Sequence, residues 1–284
     1  MTPLASAPIT TSTAPVAEPP ARFRDLLASE WIKMRSLRST PWTIALTTLF
    51  VIGSAAAAAL ADYNNLAGLS PSTRQPPDFL PFDAYPTAGY WTLLLVAGSI
   101  GAITVVSEYS SGLIRTTTVA VPARGSVVLA KAVVVAALWT AVGTAISTGS
   151  FLVSQAILNG RHAGVPITHP GVLRALVASA LLAPVCALIG LGLGVLIRHS
   201  AATMVTSAFT LLMLPTLFSQ SKHWSADINH AMVISAWRRL VQNWGPSPDS
   251  HMFTATVPGS WIVYALWPLV AVVLAVVVVR RRDV

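Results

Sequence analysis

Few residues in this sequence have the types and spacing to do chemistry, and those few are charged. Ser107-Glu108-Tyr109-Ser110-Ser111-Gly112-Leu113-Ile114-Arg115 leads on to Val121-Pro122-Ala123-Arg124-Gly125 and then to Lys131. A charged side chain at the centre of a bilayer costs about 2.5–3.5 kcal/mol on insertion scales, so Glu108 belongs at the mouth of its apolar segment, where water tolerates it charged or neutral. Gly112 permits a tight bend, and Pro122 restricts helix through its ring and missing amide. Between them lies a compact segment with a carboxylate before it and Arg124 and Lys131 after it. That arrangement suits docking of another protein; the plainer reading is a connection that merely obeys the charge rules of membranes. A second charged set, Glu30, Trp31, Lys33 and Arg35, precedes the first apolar segment. By helical angle Glu30 falls inside an apolar stripe, which is anomalous for a carboxylate. It is expected to pair with a basic group, either Lys33 at i+3 or a residue of the later loop.

Other chemistry is thin. The phosphate-cradling pattern G-x-x-x-x-G-K-[ST] occurs nowhere, so the sequence offers no ATP hydrolysis of its own. The Gly190-Leu191-Gly192-Leu193-Gly194 run lies within an apolar segment with no strand before it. Gly190 and Gly194 have the spacing for close helix packing, not for a nucleotide. The six histidines are scattered, with no H-E-x-x-H and no zinc-like spacing. No Ser, His and Asp set can be assembled, so no catalytic, cofactor or metal residue is assigned. Ionisable residues are nearly absent from segment centres, which argues against transport driven by protons or sodium through buried carboxylates.

The elements that must position these charges are six apolar segments, approximately Trp42–Ala61, Tyr90–Val106, Ser126–Ile157, Val172–Ile197, Ala201–Phe218 and Trp261–Val279. Each is near or above the roughly 20 residues needed to cross a ~30 Å hydrocarbon core, and backbone in lipid must bond within its own segment. The expected fold is therefore all-α, a polytopic membrane protein of six transmembrane helices. Composition agrees, with 54% hydrophobic and only 10% charged residues among 284. The net charge of +8 sits in clusters beside apolar segments, which fits lipid headgroups and topology setting and not nucleic acid. Cys186, the one cysteine, lies inside a segment and can form no intrachain disulfide.

Residues 1–21 are rich in Pro, Ala, Thr and Ser, lack the pattern of a signal peptide, and read as a disordered tail. Residues 22–40 form an amphipathic lead-in helix whose stripe is Phe23, Leu26, Leu27, Trp31, Met34 and Leu37. It is expected to lie in the membrane interface with that stripe buried. Residues 41–284 form the six-span domain. With both termini inside, twelve of the eighteen Lys and Arg fall on the cytoplasmic side, leaving Arg74, Arg161, Arg174, Lys222, Arg238 and Arg239 outside. The positive-inside rule favours that orientation. Outside, Ser219–Ser260 is the longest loop. Its mixture of Ile228, Ile234, Trp237, Leu240 and Trp244 with polar residues reads as a short helix resting on or dipping into the outer interface, Trp at headgroup level. Pro184, Pro215 and Pro268 are candidate kinks.

A Glu, a Gly four residues later, then Pro, Arg and Lys at the start of the next span resembles the cytoplasmic loop of type-2 ABC exporter permeases. Ser29-Glu30-Trp31-Ile32-Lys33-Met34-Arg35-Ser36 is similar to the helix that leads into the first span of bacterial members. The six spans, inside termini and long final outer loop match as well, whereas Leu113 departs from the Thr that many members carry. The resemblance implies a plasma-membrane permease that binds no cofactor itself and takes its drive from ATP through a cytoplasmic ABC ATPase subunit. It implies a second permease copy or paralogue, membrane lipid around the spans, and no nucleic acid. Glu108, Gly112, Pro122, Arg124 and Lys131 would then form the ATPase-coupling loop. The alternative is a polytopic membrane assembly or sensory protein that transports nothing.

Overall fold

Long apolar runs must satisfy their amides internally, and here they do so as helices. The computed structural model describes residues 22–36, 39–68, 78–112, 124–245 and 252–281. The tail expected over 1–21 lies outside the described residues, as do Leu37, Leu113 and Pro122. The elements run α1 (Phe23–Ser36), α2 (Ser39–Ala67), α3 (Pro81–Ala84), α4 (Thr87–Ser110), α5 (Arg124–Asn159), α6 (Val172–Ile197), α7 (Ser200–Ala208), α8 (His223–His230), α9 (Val233–Val241) and α10 (Val257–Arg281). After α7 the chain continues as a π-helical turn, Phe209–Met213, and a 3₁₀ turn, Leu214–Leu217. Among the described residues, α2, α4, α5, α6, α10 and the run Ser200–Leu217 are long and apolar enough to cross a membrane. The protein is all-helical, a multi-pass membrane protein.

Small residues set the packing. α6 is the most buried of the six spans, and α4 and α5 lie against it. A Cβ added at Gly190 would strike the carbonyl of Gly98, and one at Gly101 would strike that of Ala187. A Cβ at Gly194 would come within 3.0 Å of the Ala102 carbonyl oxygen. α4 and α6 therefore touch backbone to backbone, as the spacing of Gly190 and Gly194 predicts. On the other face, Pro184 supplies no amide to the carbonyl four residues back, at Ala180. Gly143 of α5 nests against that same carbonyl, with no room for a side chain. α2, α10 and the Ser200–Leu217 run are the least buried spans.

The bundle's two ends differ in what they gather. The C-terminal ends of α4, α6 and α10 and the N-terminal end of α5 meet at one end, together with α1. The other end holds α3, α8 and α9. Among the described residues, nine Lys and Arg belong to segments at the first end and five to the other. This is the partition used above to assign sides.

The outer segment departs from the sequence reading. It holds two short helices, and α9 is not at headgroup level. Val233, Ile234, Ala236, Trp237, Leu240 and Val241 are all buried, a continuous i, i+3, i+4, i+7 face. Trp237 is fully buried, stacked on Tyr90 with ring centroids 5.1 Å apart, and its indole N–H donates to the Ser179 hydroxyl at 3.1 Å. That face packs against α6 and α10. Trp224 and Trp244 remain exposed. Asn229 of α8 donates to the carbonyls of Pro215 and Phe218 at 2.8 and 3.0 Å, closing the irregular end of the fifth span.

One carboxyl at this end has a pH consequence. Asp83 in α3 has a buried oxygen without a hydrogen-bond partner among the described residues. Burial first, then the charge and hydrogen bond of Asp62, push its pKa up to about 7. The native state therefore keeps a proton that the unfolded chain releases near pH 4. Stability from this group is complete below about pH 4, falls as pH rises towards 7, and is level above that. Thermal melts in detergent should be higher at pH 5 than at pH 7.5, and Asp83→Asn should flatten that difference while raising the melt at pH 7.5. An identical pH slope in the variant would remove Asp83 as its source.

Candidate functional site

Glu30 sits two turns into α1, between Leu26 and Met34 on the line that packs inward. The lead-in helix is thus turned so that its carboxylate, not the whole apolar stripe, faces the bundle. Phe23 and Trp31 are exposed on the protein surface, the side available to the membrane interface in which the sequence reading buries them. Arg35 is exposed as well.

Glu30 meets three other charged groups. Its Oε1 accepts from the Lys33 ammonium at 2.7 Å, and its Oε2 accepts from Lys131. Glu108 Oε1 accepts from both, from Lys33 at 2.9 Å and from Lys131 at 3.0 Å. Two carboxylates and two ammoniums alternate in a closed ring, supplied by α1, α4 and α5. Glu30, Lys131 and Glu108 are 2%, 5% and 8% exposed, so three of the four are withdrawn from water. Charges so withdrawn persist only when each is paired, since desolvation costs several kcal/mol per ion. Burial by itself would push the Lys33 ammonium down, but its bonds to Glu30 and Glu108 outweigh that and hold it above its usual range.

Both alternatives for Glu30 are therefore realised at once, Lys33 within the helix and Lys131 beyond the loop. The reading of Glu108 as a group at an open mouth is corrected. It is enclosed, because α1 lies across it and Lys131 comes to it from α5. Neutralising it would strand ammonium donors as well as alter the loop.

The connection between α4 and α5 begins from this ring. α4 ends at Ser110, the Ser111 amide donates to the Ser107 carbonyl at 3.1 Å, and Gly112 takes φ +73°. That left-handed residue just past a helix end is the usual place for glycine, and it turns the chain off the helix axis. Arg124 opens α5 and is half-buried. Two further contacts at the same end carry no sequence signal. The Arg198 guanidinium, at the end of α6, lies 4.9 Å from the Tyr109 ring centroid. Gly125 lies so near the Arg280 side chain that a Cβ would stand 2.6 Å from its Nε. Four helix ends and α1 thus converge around the two anchor points of the connection.

The four charged members of the ring are each committed to one another. Among the described residues, no group of three or more His, Cys, Asp and Glu side chains could hold a metal ion. His199 instead caps α7, its Nδ1 accepting from the Ala202 amide at 3.3 Å. The arrangement is mechanical: it ties a surface helix to the starts and ends of spans. No family model matches this chain, and no curated protein does.

Proposed function

We propose that this protein is the membrane-spanning permease subunit of an ATP-driven ABC exporter of the plasma membrane, with both termini cytoplasmic. It would work with a second permease copy or paralogue and with a cytoplasmic ATPase subunit that binds and hydrolyses the ATP. The observation that supports this best is the ring of Glu30, Lys33, Glu108 and Lys131 at the base of the 113–123 connection. A partner pressing on that connection would not bend a loose loop. Its push would reach α1, α4 and α5 together, because the ring makes their ends one unit, and α6 and α10 through Arg198 and Arg280. Such a unit can switch between two arrangements biased by the partner's ATP state, as alternating access requires. The closely packed glycine contacts of α4 with α6 would carry that movement into the bundle as a rigid shift.

The test begins with purification of the full chain in mild detergent and identification of what accompanies it. An ABC ATPase subunit is expected. The sharper measurement uses Gly112→Val. Among the described residues a side chain there meets nothing within 4 Å, and the left-handed backbone costs it about 1–3 kcal/mol. Expression and spectral helicity should survive, while substrate-stimulated ATP hydrolysis by the partner should fall severalfold or more. Gly53→Ala, whose new methyl group also meets open space, is the control. Full coupling in Gly112→Val, or the lack of any ATPase partner, would end the exporter reading.

A further inference from the structure

A cleft of about 350 Å³ opens at the end of the molecule opposite the charge ring. Its walls come from Trp91 on α4, the irregular turns after α7, the helices α8 and α9, and Thr254 and Ala255 ahead of α10. Among the described residues, its lining carries Arg238, Arg239 and His230 and no Asp or Glu. Two acids of this end are paired elsewhere, Asp227 with His223 at 3.0 Å and Asp78 with His169 at 3.7 Å.

Among the described residues, the arginines are held in place without a carboxylate partner. Arg239 Nε donates to the Ala255 carbonyl at 2.7 Å, which orients its guanidinium fork. The Arg238 guanidinium stands 5.6 Å from the Trp91 ring centroid, and its partial burial lowers its pKa from the usual arginine range although much of the residue remains exposed. Favourable placement at a helix C-terminus accounts for Arg174, whose Nε and Nη2 donate to the Leu240 and Gln242 carbonyls at 3.0 and 2.6 Å. Arg238 and Arg239 also lie in the last turn of α9, where cations are favoured, and they line the cleft as well. A third guanidinium close behind them raises the local positive potential further.

The rest of the lining is mixed: Gln220, Asn229 and Gln242 are polar, while Leu212, Phe218 and Ile234 supply an apolar side. On the outward side of the same turns, Met213 and Leu217 are 56% and 65% exposed, a surface that in a membrane protein faces acyl chains. A cationic recess opening beside a lipid-facing strip fits a molecule with a charged head and an apolar tail. We propose that this cleft binds the anionic headgroup of an amphiphile, a phosphate or carboxylate held by Arg238 and Arg239, with its tail along the Met213–Leu217 strip. Planar guanidinium forks suit both acids through paired N–H donors. The proposal stands apart from the transport reading, for it needs no partner ATPase.

The test uses the full chain in a neutral detergent, titrated separately with dihexanoyl phosphatidylglycerol, dihexanoyl phosphatidylcholine and inorganic phosphate, with binding followed by calorimetry and thermal shift. The phosphatidylglycerol should bind saturably and raise the melt. Arg238→Ala/Arg239→Ala should weaken it by about tenfold or more, the equivalent of losing one charge-assisted hydrogen-bonded contact. Arg161→Ala, at the same end of the bundle, should not. Arg238→Gln alone replaces an exposed side chain, so it reports binding even where the double variant folds badly, and should weaken binding severalfold. Equal affinity for inorganic phosphate alone would keep the anion site and assign it to a free ion; tighter phosphatidylglycerol binding assigns it to lipid. Equal binding of phosphatidylcholine, or an unchanged titration in variants that melt normally, would overturn the proposal.

Discussion

Lys131→Ala should lower the stability of the protein by about 3–5 kcal/mol, the cost of leaving buried charge without its partner. Lys131 is 5% exposed and bonds both carboxylates of the ring, Glu30 and Glu108. Its loss leaves two neighbouring negative charges with only the half-exposed Lys33 between them. Water cannot reach Glu30 unless α1 moves away, so the damage should appear as release of the lead-in helix before general unfolding. Proteolysis near Arg24 and a cysteine placed at Met34 are suitable reporters, since Met34 is 7% exposed in the intact structure. A Glu30→Gln change made in the Lys131→Ala background should recover part of the loss, because it removes one of the stranded charges. The coupling measured in that cycle should exceed about 1 kcal/mol. A Lys131→Ala protein melting within about 1 kcal/mol of the parent, with Met34 still protected, would mean that the ring does not hold α1 in place.

Gly190→Val should come close to that effect by a different route. The position allows no Cβ at all without displacing the Gly98 carbonyl, and the obstacle is backbone, which cannot rotate aside. Overpacking usually costs about 1–3 kcal/mol, and contact with backbone places this case at or above the top of that range. A graded series makes the measurement specific. Gly194→Ala meets the Ala102 carbonyl at 3.0 Å and should cost less than Gly190→Ala. Gly53→Ala meets nothing and should be neutral or stabilising by up to about 1 kcal/mol, the gain in helix propensity. Melting temperatures in one detergent should follow that order. Equal melts across the series would show that α4 and α6 are not held backbone to backbone.

The spans were legible because lipid leaves a sequence few options: Val172–Ile197 is bounded in the structure as its apolar run predicts. The third span is 36 residues, about 54 Å at 1.5 Å per residue, so hydropathy alone could not say where it leaves the bilayer. Glu30 was legible as a problem, a carboxylate on an apolar stripe, and its first solution, Lys33, lies on the same helix. The four-way ring was not, because Glu108 and Lys131 reach it only after three helices have packed. Trp237 was misplaced for a related reason. Tryptophan beside Arg238 and Arg239 reads as an interfacial anchor, and nothing local reveals that Ser179 waits for its indole N–H. The outer cleft left even less trace, since its walls come from five separate stretches of chain.

The ring also changes what kind of attachment α1 has. Basic amphipathic helices that cling to membranes do so largely through headgroup charge, and added salt loosens them because exposed charges are screened over about 8–10 Å. The charges that hold α1 lie behind protein, three of them nearly out of reach of dissolved ions. The helix therefore behaves as a covalent-like part of the bundle when ionic strength rises. Its weak point is alkali, through Lys33, the one member that water can still reach.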